Sequence, residues 1–203
     1  IMTFKNELVS PKELEKFLKN KLKDKKITED PEKLAELLQL QDFQKMYAIL
    51  QKFLRESRLV DFDDMVMLAV ELLKEKKLIL SRYQKKFKCI LVDEFQDTNE
   101  VQYQFLRLLT NAGSHIMSVG DDDQSIYGWR GAKSENINRF TKDYVGTEVV
   151  KLEQNYRSTE IILSAANAVI KNNQGRMGKD LWTEQKEGEQ ISIYSAYNED
   201  DEA

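Results

Sequence analysis

From Lys88 onward the hydrophobic pattern of this chain changes. Short apolar runs, each long enough for one strand, alternate with stretches of helical spacing. Strands that alternate with helices are joined by crossovers, and crossovers produce a parallel sheet with helices on its faces. That confines the chain to the α/β class with a parallel, doubly wound sheet. Lys88–Val92 reads as a buried strand, and about Asn99 to Asn111 reads as a helix with Val101, Phe105, Leu108 and Leu109 inward. His115 to Val119 is the second strand, Ile137 and Phe140 mark a short helix, and Thr147 to Leu152 is the third strand. Ser158 is placed to cap a helix carrying Ile161, Ile162, Ala165 and Val169. Asn172 to Glu189, rich in Gly, Asn and Lys, reads as a loop; Ile191 and Ile193 mark a last short strand. Asn198 to Ala203 reads as a helix start that is cut off.

The first eighty or so residues carry no strand signal. Ser10-Pro11-Lys12-Glu13 is a capping box with proline at the first helical position, followed by Leu14, Phe17, Leu18 and Leu22. Asp30-Pro31 opens a second helix in the same way, with Leu34, Leu37, Leu38, Tyr47, Leu50 and Leu54 on its apolar face and Gln41 interrupting the stripe. A third helix opens at Asp61 and sets Phe62, Met65, Leu68, Ala69 and Leu72 on one side. Lysine and glutamate are interleaved throughout, so these charges read as solvated faces rather than as a DNA track.

Composition removes several classes. With 31 basic and 35 acidic residues the formal charge is −4, so any nucleic-acid site has to be a local patch. The lone Cys89 and the lone His115 leave no disulfide and no cysteine or histidine metal cluster. The longest apolar stretch, Met65 to Val70, is far too short to span a bilayer, and no leader opens the chain. A reducing cytoplasm is the expected compartment, with no membrane partner.

Chemistry concentrates at the ends of the strands, where ligands sit in open α/β sheets. The first strand ends in Asp93 and Glu94, two hard-oxygen donors suited to a phosphate-and-magnesium site; the plain alternative is an acidic turn. The second ends in Gly120-Asp121-Asp122-Asp123-Gln124-Ser125-Ile126-Tyr127-Gly128-Trp129-Arg130-Gly131-Ala132. Gln124 can donate to a phosphate oxygen and accept from a water, and Arg130 has the planar fork that matches phosphate. A lone tryptophan is most often core, but Gly128 and Arg130 flank Trp129 and favour an exposed stacking platform. The third expected strand ends in Gln154-Asn155-Tyr156-Arg157-Ser158.

Taken together, these strand ends closely resemble the UvrD/Rep/PcrA family of superfamily-one DNA helicases. Val92 to Asn99 resembles its motif II, Gly120 to Ala132 its motif III, and Leu152 to Ser158 its motif IV; Asp61-Phe62-Asp63-Asp64-Met65 resembles a segment just before motif II. The resemblance covers essentially the whole chain, in order. It implies a partial RecA-like P-loop NTPase sheet, with a helical subdomain at the N-terminus. Residues 1–80 would end subdomain 1B, 81–146 would be the second half of motor domain 1A, and 147–203 would begin 2A. The implied cofactors are ATP and Mg2+, and the implied partners are single-stranded and duplex DNA with repair or replication proteins. Asp93 would hold magnesium, and Glu94 would orient and deprotonate the attacking water. Gln124 and Arg157 would contact the γ-phosphate, Arg157 as an arginine finger. Tyr156 would stack on adenine, Trp129 with Tyr127 would stack on DNA bases, and Arg130 would bridge the nucleotide and DNA sites.

The chain departs from the family in lacking any Gly-x-x-x-x-Gly-Lys-Ser/Thr; Gly178-Lys179 is followed by Asp180. The family's adenine-reading glutamine motif and motifs V and VI are also missing. The expectation is therefore an internal piece of a helicase that translocates 3′ to 5′ on single-stranded DNA, inactive when isolated. Two rivals remain at this point. A helicase–nuclease subunit of the RecB or AddA type is disfavoured by the compact motif III. A non-catalytic interaction module is disfavoured by the intact Asp93, Glu94, Gln124 and Arg157.

Overall fold

The computed structural model describes residues 1–111, 113–174 and 176–202, which fall into two compact units, Ile1–Lys142 and Asp143–Ala203. Gly175 of the expected loop and Ala203 of the expected last helix lie outside the described residues. Among the described residues no helix is long and apolar enough to cross a membrane.

The first unit begins with α1 (Met2–Asn6), α2 (Pro11–Lys21), α3 (Lys25–Thr28), α4 (Pro31–Glu56), α5 (Phe62–Glu75) and α6 (Lys77–Lys86). The starts follow local chemistry. Ser10 Oγ accepts from the Glu13 N–H at 3.3 Å while the Glu13 carboxylate accepts from the Ser10 N–H at 2.8 Å, a cap worth about 1 kcal/mol. Asp61 and Asp64 make the same reciprocal pair at the start of α5, at 2.8 and 3.2 Å.

α4 packs on α2, and its inward face is partly polar, reaching the start of α2, the loop before it and α5. Gln44 donates to the Pro11 carbonyl at 3.0 Å, Gln51 to the Asp64 carboxylate at 3.0 Å, and the buried Tyr47 to the Val9 carbonyl at 3.4 Å. Gln41 therefore does not break a purely apolar stripe, since glutamines continue it wherever an acceptor is in reach. Leu38, expected on this face, is exposed. In α5 the expected stripe turns outward: Phe62, Met65, Leu68 and Leu72 are exposed, and Asp64, Met67, Val70 and Leu73 are buried. The helix is apolar on two faces, and tertiary contact selects between them. Met67 and Val70 join Val101, with Leu8, Val66, Phe105 and Leu108 packed around them.

The sheet consists of β1 (Cys89–Val92) and β2 (His115–Ser118), joined by the crossover helix α7 (Glu100–Leu109) and followed by α8 (Glu135–Asp143). The strands pair in parallel, Cys89 against His115 and Val92 against Ser118, as the strand–helix–strand order requires. The expectation of a buried first strand is corrected. Cys89 and Leu91 are exposed, so β1 packs one face and no described residue layers the other.

In the second unit α9 (Glu160–Ile170) buries Leu163, and α10 (Glu199–Glu202) closes the described chain. Two expected strands do not form. Thr147–Leu152 and Ile191–Ile193 are irregular, with Val150, Leu152 and Ile193 exposed. A strand needs a neighbour in register, and here the backbone finds one at an isolated bridge between Gln154 and Trp182. Ser158 is likewise not the cap. Asn155 Oδ1 accepts from the N–H groups of Arg157 and Ser158, at 2.9 and 2.8 Å, and this turn delays the helix to Glu160.

Candidate functional site

The two strand exits of the first unit are clasped by backbone. The Val119 N–H donates to the Val92 carbonyl at 2.8 Å, and the Phe95 N–H donates back to the Val119 carbonyl at 2.9 Å. Beyond Val92 the chain turns sharply at Glu94, which takes the left-handed conformation at φ 49°, ψ 44°. That costs a non-glycine residue about 1–3 kcal/mol and needs support from its surroundings. The support is Phe95, 1% exposed, which meets Phe140 edge-on at 5.3 Å and Tyr103 at 6.1 Å. Asp93 and Glu94 remain exposed, and Asp93 Oδ1 accepts the Glu94 N–H at 2.9 Å.

Gln96 is buried beneath this turn. Its Nε2 donates to Glu94 Oε2 at 2.8 Å, and its Oε1 accepts from the Asp121 N–H at 2.9 Å. Asp121 in turn caps a tight turn, accepting from the Asp123 N–H at 3.0 Å and from Gln124 Nε2 at 2.7 Å. Glu94 and Gln124, distant in sequence, thus stand on one chain of hydrogen bonds. Gly120 makes the approach possible, because a Cβ there would lie 2.8 Å from Gln96 Oε1 and 3.2 Å from the Phe95 nitrogen.

The loop after Gln124 carries a stack. The Arg130 guanidinium lies 4.5 Å from the Trp129 ring centre and 5.3 Å from that of Tyr127, and Trp129 is 71% exposed. Gly131 closes the turn at φ +88°. From α1, Asn6 donates to the Arg130 carbonyl at 3.2 Å, and Glu7 pairs with Lys133 at 2.7 Å. Lys5, fully buried, pairs with Asp61 and, at 2.7 Å, with Asp64. Burial pushes the Asp64 carboxyl up, but Lys5, the Asp61 N–H and Gln51 outweigh it and hold it below the usual range. Glu100 behaves alike, with burial opposed by Gln104 and Arg139.

The sequence-predicted residues therefore separate into three groups. Asp93, Glu94 and Gln124 gather at the clasped exits, and Tyr127, Trp129 and Arg130 form the stack. Tyr156 and Arg157 are exposed neighbours in the second unit, the Tyr156 hydroxyl donating to Gln154 Oε1 at 2.8 Å. Sequence reasoning missed Gln96, Asp121, Asn6 and Lys5. A neutral amide set between Glu94 and Asp97 was the one available signal for Gln96.

The residues at this strand exit carry the hard oxygen donors that a divalent cation takes. Asp93 and Glu94 present exposed carboxylates, and Asp97 Oδ1 is buried with no hydrogen-bond partner among the described residues. Hard oxygens of this kind suit magnesium, which keeps much of its water. The carboxylates of Asp121, Asp122 and Asp123 also lie within 4.8 Å of one another.

Residues 1–145 match the family model described as the UvrD/REP helicase N-terminal domain, and residues 150–203 match the UvrD-like helicase C-terminal domain. The chain is 56% identical over 163 residues to DNA helicase II of Escherichia coli strain K12, covering 80% of this chain and 23% of that protein. It is 51% identical over 158 residues to the ATP-dependent DNA helicase PcrA of Leuconostoc citreum, covering 78% of this chain and 21% of that protein. Against PcrA of Staphylococcus aureus strain Mu50 it is 46% identical over 186 residues, covering 92% and 25%. The chain spans about a quarter of the length of the curated relatives it matches.

Proposed function

The chain belongs to the UvrD/REP helicase family, and from that premise we propose that it is part of an ATP-driven motor that translocates on single-stranded DNA, 3′ to 5′, and separates duplex strands. Residues 1–80 are assigned to the end of subdomain 1B, 81–146 to the second half of 1A and 147–203 to the start of 2A. The compartment that fits is the cytoplasm, at the nucleoid.

The observation that carries the reading is the hydrogen-bonded chain from Glu94 through Gln96 and Asp121 to Gln124, five residues before the exposed Trp129. Glu94 is assigned to accept the proton of the attacking water, and Gln124 to contact the γ-phosphate. Asp93, with Glu94 nearby, would hold Mg2+, which supplies charge neutralisation at the phosphates when bound. Tyr127 and Trp129 offer ring faces to DNA bases, a sequence-tolerant contact. Arg130, packed over both rings, stiffens that platform and presents charge to a phosphate. Tyr156 is assigned to adenine and Arg157 to the γ-phosphate, on their match to motif IV. With no phosphate-cradling Gly-Lys-Ser/Thr loop in its sequence, the 203-residue chain by itself is expected to bind nucleotide weakly and hydrolyse none.

Glu94→Gln in the full-length protein tests the assignment. The amide keeps the size but cannot take a proton, so nucleotide binding persists while DNA-stimulated hydrolysis is lost. Near-normal turnover would remove Glu94 from the base role.

A further inference from the structure

We propose that Gln96 is a positioning residue that holds the Glu94 carboxylate in register with the exit of β2, tying hydrolysis to the state of the Trp129 loop. The inference rests on the assignment of Glu94 above and adds a residue to it.

Three observations carry it. First, the amide is used at both ends. A carboxylate can only accept and a backbone N–H can only donate, so one orientation of the Gln96 amide satisfies Glu94 at 2.8 Å and Asp121 at 2.9 Å together. Second, the side chain cannot drift, because it is 1% exposed and capped by the backbone of Gly120, where even a methyl group would collide with it at 2.8 Å. Third, Glu94 needs an external hold. Its left-handed backbone is strained and its side chain is exposed, so its rotamer is not fixed by packing. The Gln96 carbonyl adds a further tie to the same loop, accepting from Ser125 Oγ at 3.4 Å.

The consequence is directional. A shift of the 121–130 loop moves the Asp121 N–H, the Asp121 N–H moves the Gln96 amide, and the amide moves the Glu94 carboxylate. Misplacing a catalytic group by about 1 Å costs on the order of a hundredfold in rate. A link this short is therefore sufficient to make hydrolysis depend on whether bases occupy the Trp129 platform.

Two substitutions separate the ends of the link. Gln96→Glu keeps an acceptor for the Asp121 N–H but withdraws the donor from Glu94 and sets a like charge beside it. Gln96→Met keeps the volume and withdraws both. In the full-length protein, steady-state ATP hydrolysis is measured against ATP concentration, with and without poly-dT, together with thermal unfolding. The expectation is a fall in DNA-stimulated kcat of roughly tenfold to a hundredfold in both variants, with KM for ATP within about threefold of wild type. The ratio of stimulated to unstimulated rate collapses as well. A kcat and a stimulation ratio within twofold of wild type in folded Gln96→Glu would overturn the proposal. If Gln96→Met does not fold, the nearly isosteric Gln96→Glu decides alone. If Gln96→Glu does not fold either, Gly120→Ala, which displaces the amide without altering it, must lower the ratio or the proposal falls. Glu94→Gln is run alongside. Full turnover in that variant would fail the Glu94 assignment itself, whereas a dead Glu94→Gln with a normal Gln96→Glu fails the link only.

Discussion

Replacing Lys5 by methionine keeps most of the side chain's volume and removes a fully buried positive charge. The damage falls on Asp64, whose side chain is 3% exposed, rather than on Asp61, which at 39% exposure regains water. Orphaning one member of a buried ion pair costs about 3–5 kcal/mol. Asp64 keeps Gln51 at 3.0 Å and the Asp61 N–H at 3.2 Å, which places the loss near the lower end, about 3 kcal/mol. For a unit of this size that is a fall in Tm of roughly 10 °C. Urea and thermal unfolding followed by circular dichroism at 222 nm measure it. The acid side gives a second readout. Because the folded Asp64 carboxyl sits below its usual range, its contribution is complete above the unfolded value near 3.9 and is lost as pH falls through the lower folded value. Wild type therefore loses stability on acidification more steeply than Lys5→Met, and Lys5→Met/Asp64→Leu recovers much of the deficit. A loss under about 1 kcal/mol for Lys5→Met, with unchanged acid sensitivity, would mean that Asp64 does not depend on Lys5 for its charge compensation.

Phe95→Ala removes the ring that holds the Glu94 turn against Phe140 and Tyr103 and is expected to cost about 3–5 kcal/mol; denaturant titration that finds under 1 kcal/mol would place the ring outside the core. Burial first, then Asp64 and Asp61, pushes the Tyr47 hydroxyl up to about 12. Its contribution to stability is full below the unfolded value near 10 and is lost as pH rises toward 12; the 295 nm titration of wild type minus Tyr47→Phe should show this late step, and a step near 10 contradicts it. Trp129→Ala in the full-length protein is expected to lose about 1–3 kcal/mol of single-stranded DNA affinity, read by fluorescence anisotropy; unchanged affinity would make the ring a structural residue.

Features set by local chemistry were legible from sequence. The helix starts at Ser10, Asp30 and Asp61 are written in the residues themselves, and so is the strand–helix–strand order that makes β1 and β2 parallel. Asp93, Glu94, Gln124 and Trp129 were visible as residue types out of place in a plain core. What was hidden depends on pairings across the fold. Gln96 acquires its role from Asp121, 25 residues on, and Lys5 from Asp61, 56 residues on. The buried face of α5 was not legible because apolar residues line both sides, and Val101 on α7 decides between them. Thr147–Leu152 carries a strand composition, yet a strand exists only where a neighbour offers its backbone in register.

Strand separation by the full-length protein tests the motor reading most directly. A labelled duplex carrying a 3′ single-stranded tail is mixed with the protein, magnesium and ATP. ATP-dependent release of the labelled strand is expected, with little release from a 5′-tailed duplex and none from either with Glu94→Gln. Binding of the tailed duplex without any ATP-dependent release by the wild-type protein would contradict it.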